Sequence, residues 1–189
     1  MTFWNVIERY VAKNEQERQD QSLMLEQMYL VGDRILSRES EAAHMTSSGV
    51  ILNEQMDKML MIHHKIYDTW AWTGGHADGQ DDPLAVSIKE AQEETGLKKF
   101  HPIAEAPVSI EVLPVLGHQK DGHYVSTHLH FNVSYVLIAD EQEALAVNEA
   151  ETNGIQWVPV EEIGQYSDES AMVKIYQKII AAGQTIAKE

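Results

Sequence analysis

Between Gly74 and Leu97 the chain reads GGHADGQDDPLAVSIKEAQEETGL, a glycine-rich lead that runs into a helix with two unlike faces. Asp81 or Asp82 followed by Pro83 suits a cap and a first-turn proline, and Gly96 suits the left-handed stop, so the spacing predicts a helix from about 82 to 95. Glu90, Glu93 and Glu94 stand at i, i+3 and i+4 and share one side of it. Like charges at ~5 Å repel by roughly 3 kcal/mol per pair at an effective dielectric of ~20, which disfavours the bare helix unless a cation joins them. Oxygen donors of this kind suit Mg²⁺ or Mn²⁺. Leu84, Ile88 and Ala91 mark the opposite side, with Ala85 and Thr95 nearby, and predict packing on a sheet. The glycines before the helix predict a loop that approaches an anion closely and delivers it to a helix N-terminus.

The remaining elements follow from periodicity. Phe3, Ile7, Tyr10 and Val11, then Met24, Met28, Val31 and Ile35, predict two helices separated by the polar stretch from Lys13 to Gln21. Residues 1–40 thus read as a helical extension, and 41–189 as the main domain. Ser48 to Leu52 and Lys58 to His64 flank a polar five-residue turn and predict a hairpin. Beta character returns at Val108 to Leu116, Thr127 to Ile138 and Ile155 to Val158, and Glu169 to Ala182 predicts a closing helix. Helices layered on a sheet place the chain in the α/β class.

Composition removes several functions. There is no cysteine, so disulfides, thiolate metal sites and cysteine nucleophiles are excluded. The 30 Asp and Glu residues against 14 Lys and Arg give a net charge of −16, which argues against binding nucleic acid polymers. The longest apolar run, Tyr135 to Ala139, is too short to cross a membrane, and the first residues do not resemble a secretory signal. A cytoplasmic protein without membrane partners is expected.

The segment from Gly75 to Leu97 resembles the signature of the Nudix hydrolase superfamily, G-x5-E-x7-R-E-U-x-E-E-x-G-U, with U a bulky aliphatic residue. Gly75, Glu90, Glu93, Glu94, Gly96 and Leu97 match. Asp81 replaces the first acid, Lys89 the arginine, and Ala91 the aliphatic residue. In the family that acid and arginine pair to brace the loop on the helix; Asp81 is shorter, and lysine cannot form a forked pair. Glu151, six residues before Trp157, resembles a further acid of the superfamily, and the GGHADG loop and the HLHFNVSY strand resemble a subset of its members.

The resemblance implies a Nudix-type α/β/α sandwich around a mixed β-sheet, with the N-terminal helical extension added. It implies metal-dependent hydrolysis of a diphosphate bond in a nucleoside diphosphate linked to another moiety, the substrate being a small diphosphate-containing metabolite. Glu90, Glu93, Glu94 and the carbonyl of Gly74 would bind Mg²⁺ or Mn²⁺. The catalytic set would be Glu90, Glu94 and Glu151, with Glu90 or a distal acid, Glu151 or Glu149, as the base. Gly75, Asp81, Lys89 and Gly96 would be structural. His76, in the loop, and His128 and His130, on one face of a strand, are candidate substrate contacts, whereas the adjacent His63 and His64 point to opposite faces. Trp70 and Trp72 are expected to pack beneath the loop.

Two other functions use the same scaffold. A nucleotide sensor that does not cleave is favoured by the altered Asp81/Lys89 pair and opposed by the three glutamates. An isoprenoid diphosphate isomerase commonly leans on a cysteine, which is absent here. The apolar stripes in residues 1–40 make a homodimer an expected partner arrangement.

Overall fold

The computed structural model describes residues 1–65, 68–120, 122–148 and 152–188. Helix α1 (Phe3–Arg9) is capped by Thr2, whose hydroxyl accepts the Asn5 N–H. Helix α2 (Glu15–Val31) is capped by Asn14, and Glu15 and Glu17 lie in its first turn, where the helix dipole favours acids. The polar stretch expected to separate two helices therefore lies mostly inside α2, because a cap and two acids can start a helix without apolar residues. A 3₁₀ turn, Gly32–Leu36, follows.

Strands β1 (Ala43–Asn53) and β2 (Lys58–His64) form the expected hairpin, with Ile51 opposite Leu60. Then come β3 (Thr69–Ala71), β4 (Thr73–His76), α3 (Pro83–Thr95), β5 (His101–Pro102), β6 (Ser109–Val115), β7 (His118–Lys120), β8 (His123–Val125), β9 (His128–Ala139), β10 (Thr152–Pro159), α4 (Ile163–Tyr166) and α5 (Ser170–Ile186). Strands β7 and β8 pair separately. The main sheet has eight strands in the order β10-β2-β1-β9-β5, with β3 beside β2, β4 beside β1 and β6 beside β9. Its β1–β9 pair is parallel and the other pairs are antiparallel, so the sheet is mixed.

Alternation along β1 and β9 divides the core. Met45, Ile51, Phe131, Val133 and Tyr135 pack with Phe3, Met24, Met28, Ile35, Val86 and Ala91 from α1, α2, the 3₁₀ turn and α3. On the other face, Val50, Leu52 and Val136 pack with Ile163, Tyr176 and Ile179 from α4 and α5. The α/β/α sandwich is therefore present, with the N-terminal helices inside the first layer.

The second face becomes polar beyond Val50. The parallel register sets His44 opposite His130, Thr46 opposite Asn132 and Ser48 opposite Ser134. Asn132 Oδ1 accepts from both Thr46 and Ser48 at 2.9 Å, and its amide donates to Ser134 Oγ. Ser134 donates to Glu111, which also meets Ser109 and the Lys178 ammonium. All but His130 and Lys178 are buried, so each buried polar group of this hydrogen-bonded chain needs the partner it has.

Candidate active site

The glycine lead does not remain a loop. Gly74 and Gly75 lie within β4, paired with Ser48 and Ser47 of β1. Glycine is a weak strand former, yet it is required here by crowding. A Cβ on Gly75 would come within 2.4 Å of the Glu90 carboxyl, and one on Gly74 within 2.5 Å of Ser48 Oγ. The two residues lie side by side in a strand, so one missing side chain makes room for the acidic helix and the other for the polar sheet face.

Helix α3 is fixed at both ends as its residues predict. Asp82 accepts the N–H groups of Leu84 and Ala85, Pro83 occupies the first turn, and Gly96 closes the helix at φ 75°. Its buried side differs from the expected one. Pro83, Val86, Ser87, Ala91, Glu94 and Thr95 are buried, while Leu84 and Ile88 are only partly so. The glutamates consequently do not share one exposed face. Glu94 is 5% exposed and accepts the Gly74 N–H at 3.0 Å. Since a strand residue's N–H and C=O project to the same side, the Gly74 carbonyl also turns away from β1. The Glu90 side chain is 17% exposed and that of Glu93 is 55% exposed.

Lys89 lies between the latter two, its ammonium 3.0 Å from Glu90 Oε1 and 3.2 Å from Glu93 Oε2. The hydrogen bond and charge of Glu90 come first among the reasons that its pKa is raised, with Glu93 adding to them. Two carboxylates already converge on one cation, and a third sits one turn along against a backbone amide. These oxygen donors fit a hard divalent ion. Lys89 does not pair with Asp81. The Asp81 side chain and carbonyl both accept the Phe3 N–H, at 3.2 and 2.9 Å, and so tie the connector before α3 to α1.

His76, His128 and His130 come together as three members of a larger group. His76 Nε2 lies 3.2 Å and His128 Nε2 3.3 Å from His130 Nε2. Their neighbour His44, which sequence reasoning missed, packs on all three rings at 4.8–5.1 Å between centroids. The alternation His44, Thr46, Ser48 was its available signal, but nothing local reveals which strand pairs with it. Burial first, then the His76, His44 and His128 rings, pushes the His130 pKa down to about 2, and burial lowers that of His44.

Trp72 packs edge-on against Tyr176 at 5.3 Å, and Trp70 against His63 and Tyr166. Both tryptophans thus serve packing. Glu149 and Glu151 lie outside the described residues.

The sequence matches the NUDIX domain over residues 43–180. This chain belongs to the Nudix family. Among solved structures with a similar fold, a C. elegans Ap4A hydrolase in a binary complex shares 17% identity at a TM-score of 0.54, over 72% of this chain and 95% of that one. The E. coli dihydroneopterin triphosphate pyrophosphohydrolase shares 11% at 0.55, over 72% and 94%. A Nudix hydrolase from M. smegmatis, RenU, shares 15% at 0.52, over 76% and 87%. At these identities the likeness is one of Nudix fold. No curated protein matches significantly. Among the described residues, no helix is long and apolar enough to cross a membrane.

Proposed function

We propose that this Nudix protein is a divalent-metal-dependent pyrophosphohydrolase acting on a small metabolite in which a nucleoside diphosphate is linked to another moiety. The observation that carries the reading is the convergence of Glu90 and Glu93 on one cation, Lys89, with Glu94 against Gly74. Glu90, Glu93, Glu94 and the Gly74 carbonyl are the residues that would hold Mg²⁺ or Mn²⁺. Such an ion, when bound, offsets charge on phosphate oxygens and makes a water easier to deprotonate. Glu90 or a distal acid, Glu151 or Glu149, takes the proton of the attacking water as its oxygen adds to phosphorus and the bond from phosphorus to the bridging oxygen breaks. Gly75 keeps Glu90 close to the strand, and Lys89 offsets the carboxylate charge before the metal arrives.

The same reading assigns residues 1–40 as an extension to the catalytic domain of residues 41–189. It also assigns a cytoplasmic location and a homodimer using the exposed Val11, Tyr29 and Leu30. Neither nucleic acid polymers nor membranes are partners in this reading; the net charge of −16 supports the first exclusion.

The test is phosphate-bond cleavage with a panel of ADP-ribose, NADH, dinucleoside polyphosphates, nucleoside triphosphates and sugar nucleotides, with and without Mg²⁺. Turnover of at least one member, dependent on Mg²⁺ and lost in Glu94→Gln, is expected. Tight binding of a panel member without turnover under any condition would replace the enzyme with a sensor.

A further inference from the structure

The four imidazoles above the polar sheet face form a donor set that phosphate chemistry does not require. His44 lies near the start of β1, His76 ends β4, and His128 and His130 open β9. Three strands therefore bring them to one place.

The hydrogen bonds fix which nitrogens face inward. His44 Nδ1 is 3.2 Å from the Ser40 carbonyl, and His128 Nδ1 is 2.8 Å from the Ser126 carbonyl. A carbonyl can only accept, so both Nδ1 atoms carry hydrogen, which leaves Nε2 as the nitrogen of each ring that can offer a lone pair. This outer contact is the usual way a protein orients a metal-binding histidine. His130 Nε2 lies between those of His76 and His128, but one N–H can serve only one of those contacts well. His44 is 95% buried by its 5% exposure, and its Nε2 has no hydrogen-bond partner. Protons alone leave the cluster unsatisfied.

A cation that accepts several lone pairs at once would satisfy it. Metal–nitrogen bonds of ~2.0–2.1 Å at tetrahedral angles separate ligand atoms by ~3.3–3.4 Å, close to the 3.2 Å between His76 and His130. Donor atoms of His44, His76 and His130 lie within 4.8 Å of one another. Neutral nitrogen donors select a late first-row transition metal over Mg²⁺. The nearby Asp78 is taken by Arg38 through two hydrogen bonds, so the donor set consists of nitrogens.

We propose that His44, His76 and His130 hold one zinc-class transition-metal ion, separate from the acidic helix, with His128 beside them against His130. Three protein ligands leave the fourth position to water. The site joins β1, β4 and β9 at the end where β4 presents Gly74 and Gly75, so it fixes the strand against which Glu90 and Glu94 rest. His76 and His130 are only partly buried and offer the ion a route in.

Cobalt spectroscopy on tag-free, chelator-stripped protein tests this without any activity. Co²⁺ titration should give an intense visible band of four-coordinate geometry that saturates at one equivalent and is displaced by Zn²⁺. The band should be lost in His44→Gln and His130→Gln and retained in Glu94→Gln. X-ray absorption on the zinc-loaded wild type provides a readout that does not depend on variants folding, with at least three imidazoles expected. Fewer imidazoles, no tetrahedral band, or a band lost only in Glu94→Gln would overturn the proposal. Loss of hydrolysis in the absence of histidine-bound metal would not rescue it.

Discussion

Alanine at position 75 would place its Cβ 2.4 Å from both the Glu90 carboxyl carbon and Oε2. Ordinary contact begins near ~3.5 Å, so roughly 1 Å must be found. The obstructing atoms are the end of a flexible side chain, so Glu90 swings aside and β4 keeps its register. Forcing such a side chain off its rotamer costs about 0.5–1.5 kcal/mol, a fall of a few degrees in Tm at this chain length. Misplacing a catalytic group by about 1 Å, in contrast, lowers the rate on the order of 100-fold, or ~2.7 kcal/mol of barrier. Gly74→Ala should fail differently. Its Cβ would meet the Ser47 carbonyl at 2.8 Å and Ser48 Cα at 2.9 Å, atoms of the central strand that cannot swing away. That variant should lose up to about 3 kcal/mol of stability. Thermal unfolding and Mg²⁺-dependent kcat/KM on both variants make the comparison. Full activity and unchanged Mg²⁺ affinity in folded Gly75→Ala would refute the claim that Gly75 positions Glu90.

Lys89→Met leaves Glu90 and Glu93 facing each other without a cation. The metal-free protein should lose less than about 1 kcal/mol, since the ammonium is largely exposed, and added Mg²⁺ should restore the Tm, read by differential scanning fluorimetry. Lys178→Met should cost on the order of 3–5 kcal/mol, seen as a lower urea midpoint, because Glu17 and Glu111 are each 1% exposed and share that ammonium. Burial tends to raise the Glu17 pKa, but the Lys13 N–H, the Lys178 ammonium and the Tyr10 hydroxyl outweigh it and hold it below the usual 4.5. A depressed folded pKa stabilises the fold above the unfolded value and ceases to do so as pH falls through the folded one. Urea midpoints should therefore fall more between pH 6 and pH 3 in the wild type than in Glu17→Gln, and equal falls would contradict this.

Sequence reasoning succeeded where the signal was local. The β1–β2 hairpin, the Asp82 cap, Pro83 and Gly96 each specify backbone geometry within a few residues. It failed where distant partners decide. Gly74-Gly75-His76 has a loop's composition, and only the pairing with β1 and the crowding by Glu90 and Ser48 make it a strand. Spacing placed three glutamates on one side of α3, but it could not show that Glu94 would be buried against Gly74 while Glu93 stayed open. His128 and His130 were found as a pair because two residues on one strand share a face. His44 joins them through a parallel register that no nearby residue encodes. The family's pairing of this acid with the basic residue of the helix is replaced by a bond from the Phe3 N–H to Asp81, which depends on where α1 docks.

That docking matters to anyone trimming the protein. Phe3, Met24 and Met28 are fully enclosed and share one apolar cluster with Met45, Phe131 and Val86. A fragment cut back to residues 43–180 would face water with an oily floor, and the connector ahead of α3 would be unmoored from Phe3. Poor solubility or weak turnover in such a fragment would report the missing cover, not a defect in the acids themselves.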